Sequence, residues 1–182
     1  MTRELDRADE LFVADMTMAE TLPSADLFGI VEIARFLKDP ASELTPAQTR
    51  RLFADAGLRG AYRDLKTKLE YASVPEVRAA SDGEIDERVF PQGRMRIVPA
   101  RDSMQVYLRL TFLDPDPSVA TMLIVEMPEG GLLKRALPPQ DQNGEIVAIL
   151  NLGNPRDAAL IKALRDPSAS GSILALSQPD PA

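Results

Sequence analysis

The chain has 182 residues, with 21 basic and 28 acidic side chains, a net charge of −7, and no Cys, His or Trp. Without Cys there is no disulfide framework, thiol nucleophile or cysteine zinc site; without His there is no Ser-His-Asp triad, HExxH zinc site or imidazole pH switch. Carboxylate, Ser-Lys and phosphate-loop chemistry stay open by composition, but the sequence holds no GxGxxG, GxxxxGK[ST], GxSxG or SxxK pattern.

A composition of 45% hydrophobic and 27% charged residues is that of a folded chain, and 5% aromatics leaves the core to aliphatic side chains. The first ten residues carry four acids and no apolar h-region, so no signal peptide is expected. No apolar run reaches the length that spans a bilayer. A cytoplasmic protein with no membrane association is expected. Residues 1–92 hold 12 basic and 18 acidic side chains, whereas residues 93–182 hold 9 and 10, so the acidity is concentrated in the first half.

Four helices are expected over residues 1–73. The first runs from about Glu4 to Glu20, with Leu5, Ala8, Leu11, Phe12, Met16 and Ala19 at mixed three- and four-residue spacings. Leu22-Pro23 ends it. Ser24 then caps a second helix from Ala25 to about Lys38, where Phe28, Ile30, Val31, Ile33, Phe36 and Leu37 leave only a narrow polar strip. Such a helix is either the centre of a bundle or presents a face to a partner. A capping box with proline, Thr45-Pro46-Ala47-Gln48, opens the third helix, and Gly57 is expected to end it. The fourth carries a single stripe of Leu58, Ala61, Tyr62, Leu65, Leu69 and Ala72.

Turn signals at Val74-Pro75, Ser81-Asp82-Gly83 and Pro91-Gln92-Gly93 mark residues 74–92 as a connector, with one short helix near Glu76–Ala80. After Gly93 the period falls to two. Arg94–Val98 and Ser103–Leu113 alternate, and further strands are expected at Thr121–Met127, Leu132–Leu137, Glu145–Leu152 and Ser172–Leu176. Asn154-Pro155 starts a short helix over Arg156–Leu164. The expected fold class is α+β in two domains. A four-helix-bundle-like domain at 1–73 precedes the connector at 74–92, an antiparallel β-sandwich or barrel with one short helix spans 93–178, and residues 179–182 are a disordered tail.

Chemistry-bearing groupings are few. The acidic glycine-bearing stretches Asp82–Glu87 and Asp141–Glu145 lack the ligand spacing of a twelve-residue calcium loop and read as turns. No metal, cofactor or catalytic residue is expected, and the protein reads as a non-enzyme. Two basic groupings stand out. Residues 50–68 carry a local +4, within which Arg59, Arg63 and Lys66 are expected on one exposed helix face. A two-residue turn at Arg101-Asp102 would pair Arg94 with Arg109 and Arg96 with Tyr107, gathering three arginines and a tyrosine on the polar face of the first hairpin. That cluster points to an anionic partner.

The stretch Asp55-Ala56-Gly57-Leu58-Arg59-Gly60-Ala61-Tyr62-Arg63-Asp64-Leu65, closing a small helical segment ahead of a strand-rich half, resembles the layout of bacterial anti-sigma factors over about residues 4–72. The resemblance implies a helical module, here zinc-free, that clasps a sigma factor, and a β domain that receives a signal. The expected function is therefore a regulatory or adaptor protein that binds another protein through its helical domain. Contacts are expected at Leu11, Phe12, Met16, Phe28, Ile33 and Phe36, because Met and Phe suit adaptable apolar interfaces. Two alternatives stand beside it: a ligand- or carbohydrate-binding β-sandwich, and a helix-turn-helix-type nucleic-acid binder. The last is disfavoured by the net negative charge and by Arg63 and Lys66, which occupy positions a recognition helix would bury. Self-association is left open.

Overall fold

The computed structural model describes residues 28–76 and 85–176. The chain forms helices α1 (Ile30–Lys38), α2 (Pro46–Ala54) and α3 (Ala56–Leu69), then strands β1 (Glu70–Val74), β2 (Glu87–Phe90), β3 (Gly93–Pro99), β4 (Gln105–Phe112), β5 (Ala120–Glu126), β6 (Leu132–Ala136) and β7 (Glu145–Asn151), helix α4 (Pro155–Arg165) and strand β8 (Ser170–Leu176). The strands make two antiparallel four-stranded sheets, ordered β1-β8-β5-β6 and β2-β3-β4-β7, in a sandwich-like arrangement.

Alternation along each strand decides which side chains meet between the sheets. Met95 and Ile97 from β3, Leu108 and Leu110 from β4, Ile146 and Leu150 from β7, and Leu123, Val125 and Ile173 from the other sheet form one core. Helix α4 adds Leu160, Ile161 and Leu164 to it. Tyr71, Phe90 and Phe112 stack edge to face where β1, β2 and β4 meet, at centroid distances of 5.1 and 6.2 Å. The opposite faces of β5 and β8, Met122, Ile124 and Leu174, join a second core with Phe28, Ile33, Phe36, Leu37, Leu52 and Tyr62. Strand β5 is thus apolar on both faces because a sheet covers one and helices cover the other.

This overturns the expected N-terminal four-helix bundle. The first expected helix lies outside the described residues, as does most of the short helix expected near Glu76–Ala80. Helices α1 to α3 are short and bury their apolar stripes against the β1-β8-β5-β6 sheet. An apolar helix face specifies burial but not the partner that provides it. The separate helical module that carries the resemblance to anti-sigma factors is accordingly not what residues 28–69 form.

Local boundaries shift for identifiable reasons. Within the described residues α1 begins at Ile30, where the Glu32 carboxylate accepts from the Gly29 N–H at 2.9 Å. The capping box expected at Thr45 and Gln48 forms, with bonds of 3.2 and 2.9 Å. Gly57, however, does not end α2. Asp55 separates the two helices by accepting from the Gly57 and Leu58 N–H groups at 2.7 and 3.0 Å, which starts α3 two residues earlier than expected. Those bonds hold the Asp55 carboxyl below its usual range. Ala72 leaves the helical stripe and enters β1, and β2 occupies part of the expected connector.

The β3–β4 register also differs from the two-residue turn. Residues 100–104 form a wider loop, closed by an Ala100 N–H to Gln105 carbonyl bond of 3.2 Å and shaped by Asp102, which accepts from the Met104 N–H at 2.9 Å. Arg96 is therefore opposite Arg109, Arg94 opposite Thr111 and Val98 opposite Tyr107. Gly93 is required here: a Cβ at this position would come within 2.1 Å of the Thr111 carbonyl oxygen.

Candidate functional site

The two sheets are treated differently by the rest of the chain. Helices α1 to α3 cover the outer face of one, while no element among the described residues covers the outer face of the β2-β3-β4-β7 sheet. The register sets out that open face in rows across the strands. Glu87, Arg96, Arg109 and Val147 form one, Val89, Arg94, Thr111 and Glu145 the next, and Val98, Tyr107 and Ile149 a third. Val89, Val147 and Ile149 are 74%, 43% and 55% exposed. A shallow depression of about 160 Å³ lies among Arg94, Arg96, Val98, Arg109, Thr111 and Glu145.

Arg96 and Arg109 face each other directly, an unfavourable cross-strand pairing unless acids intervene. Two do. Glu145 accepts from the Arg109 Nε at 2.6 Å, and Glu87 lies 3.6 Å from the Arg96 Nε. Arg94 makes no ion pair among the described residues. The face thus combines three guanidinium groups, two carboxylates and the exposed aliphatics Val89, Val147 and Ile149. Guanidinium forks grip carboxylates in a fixed geometry and do not exchange protons near neutral pH. Among the described residues no group of three acids stands close enough to hold a metal ion.

The other sequence-predicted residues fall elsewhere. Leu11, Phe12 and Met16 lie outside the described residues. Phe28, Ile33 and Phe36 are buried in the helix–sheet core, so they provide no exposed contact surface in this conformation. Arg59, Arg63 and Lys66 do not form one exposed face. Arg59 donates to the Phe53 carbonyl, Lys66 pairs with Glu126 at the end of β5, and Arg63 is exposed. Asp141 accepts from the Asn143 and Glu145 N–H groups at 2.8 Å each, which accounts for its loop as a turn and keeps its carboxyl below the usual range.

Glu126 is also the acceptor for the buried Tyr62 hydroxyl at 3.1 Å. Burial, reinforced by the Glu126 charge, raises the Tyr62 pKa well above its ordinary 10.0. The folded state therefore holds the phenol proton where the unfolded chain releases it. The stabilisation is complete below about pH 10 and is lost as pH rises beyond it. We expect urea unfolding to show stability falling above pH 10 more steeply in the wild type than in Tyr62→Phe; parallel curves would contradict this.

A second concavity, of about 320 Å³, lies between the α1–α2 loop, β6 and the start of α4. Its charges are already engaged in joining these elements. Lys134 donates to the Phe36 and Asp39 carbonyls at 3.0 and 2.9 Å and lies over the Phe36 ring, Arg135 binds Asp157 at 2.8 Å, and Arg156 binds Glu43 at 2.7 Å. Burial lowers the Lys134 pKa, while Asp39 and Glu43 oppose the shift.

Sequence reasoning missed Val147 and Ile149. Ile146-Val147-Ala148-Ile149-Leu150 is uniformly apolar, so periodicity gives no sign of which residues face outward. The chain matches no protein-family model, no curated protein and no solved structure.

Proposed function

We propose that this protein is a non-catalytic regulatory or adaptor module that binds another protein through the open face of its β2-β3-β4-β7 sheet. One observation carries the reading: among the described residues helices cover one sheet, while the other presents Arg94, Arg96, Arg109 and Tyr107 beside half-buried Val98 and exposed Val147 and Ile149. Arg and Tyr are the residue types that anchor protein interfaces, and aliphatics beside them supply the apolar contact. Arg94, without an ion pair among the described residues, favours a partner segment that brings a carboxylate. The helical face proposed from sequence gives way to this one because its apolar side chains are occupied in the core. A cytoplasmic location agrees with a chain that contains no cysteine.

The test is affinity capture from the native host with the wild type, the Arg94→Glu/Arg96→Glu variant and the Arg63→Glu control on α3. The expected result is a partner retained by wild type and control and reduced at least about tenfold by the double variant, as for loss of a paired interface charge. Equal retention by all three would refute the reading.

A further inference from the structure

The open sheet has a second unfilled feature, which belongs to the backbone of β7 rather than to the face. Phe112 N–H bonds to the Gly144 carbonyl and Leu152 N–H to the Met104 carbonyl, at 2.9 and 2.8 Å. With the β4–β7 register, these fix the parity of the ladder: Ile146, Ala148 and Leu150 bond to β4, and the odd residues direct their N–H and C=O groups away from the sheet. The ends of that outward row are closed. The Glu145 N–H bonds to Asp141, its carbonyl accepts from the Asp141 N–H, and the Asn151 N–H bonds to Asp157 at 3.0 Å. Between them, the outward groups of Val147 and Ile149 form no hydrogen bond among the described residues. An exposed edge with aliphatic side chains is a template for another strand.

We infer that β7 pairs antiparallel with β7 of a second copy of this chain, forming a two-fold dimer with one continuous eight-stranded sheet. The occupant follows from self-complementarity. An axis through Ala148 sets Val147 against Ile149 of the partner subunit and Ile149 against Val147 of the partner subunit. All four outward N–H groups and carbonyls at these positions are then satisfied at once. The same register stacks the four exposed aliphatics in one apolar strip, and opposes Glu145 to Asn151 of the partner subunit, so no like charges meet directly. Helix α4 packs its apolar face into the core beside β7's inward residues and forms no hydrogen bond to the two open positions. The contact is small, in the class of weak transient interfaces, so dimerisation is expected to depend on chain concentration.

Sedimentation equilibrium from about 1 to 300 µM reads this directly, across the range expected for such interfaces. The wild type is expected to shift from monomer to dimer. Ile149→Pro removes an outward N–H and no ladder bond, so it should remain folded and stay monomeric. Ile149→Lys, which places a charge in the apolar strip, should do the same. Val89→Pro makes the equivalent change on β2, the other edge of this sheet, and should dimerise like the wild type. A wild type that stays monomeric throughout, a folded Ile149→Lys protein that still dimerises, or loss of the dimer in Val89→Pro alone would each overturn the pairing. It is independent of the contact proposed for the open face, since a monomer could still bind there and a dimer could form without any other partner.

Discussion

Replacing Arg88 by Met is expected to destabilise the fold by about 3–5 kcal/mol, the range for removing one member of a buried charged network. Arg88 is only 3% exposed although it lies on a four-residue strand. Its guanidinium donates to the carbonyls of Leu164 (3.1 Å), Ala169 (2.8 Å), Pro75 (3.2 Å) and Asp166. Two of these acceptors belong to the last turn and cap of α4, where a helix leaves carbonyls unbonded and its dipole favours a cation. One side chain thereby ties together β2, the end of β1, α4 and the approach to β8. Burial lowers the Arg88 pKa and nearby Asp166 opposes it, and a guanidinium stays charged throughout the neutral range. Arg88→Lys keeps the charge but not the fork, and should recover no more than about half of the loss. Urea unfolding of the three proteins measures this, and a loss under about 1 kcal/mol for Arg88→Met, the level of an ordinary surface substitution, would contradict it.

Leu123→Ala and Ile124→Ala are each expected to cost about 2–5 kcal/mol, the range for truncating a fully buried large aliphatic. The two residues are neighbours on β5, both 0% exposed, and they point to opposite cores. Leu123 faces the sandwich interior and Ile124 the helices. Because β5 and β8 supply one wall of each core, helices and sheets should unfold together. Calorimetry should show one transition for the wild type and for both variants, lowered by similar amounts. If Ile124→Ala instead released the helices in a separate low-temperature step, with the strand signal intact, the two layers would be independent units.

These two sites also show what the sequence makes legible. Alternation in β4 and the capping box at Thr45 are local signals, and both elements form where the pattern places them. The open face was legible to the same extent: alternation puts Arg94, Arg96, Tyr107 and Arg109 on one side, although the wider loop at 100–104 changes which of them are opposite. Arg88 was hidden because β2 is too short to display a period and lies between proline and glycine turns. The helix layer was misjudged for a different reason. The run Met122-Leu123-Ile124-Val125 indicates a strand buried on both faces, and α1 indicates a helix needing cover, but nothing local states that each covers the other.

The central claim is that partner contact occurs on the open sheet face and not on the helix layer. Its most direct measurement places a photo-crosslinking amino acid in the host-expressed protein at Val89 or Val98, on the open face and away from the β7 edge, and separately at Lys38 or Arg63, exposed on the helices. The account predicts a discrete protein adduct from the first pair and none from the second; adducts confined to the helix positions would contradict it.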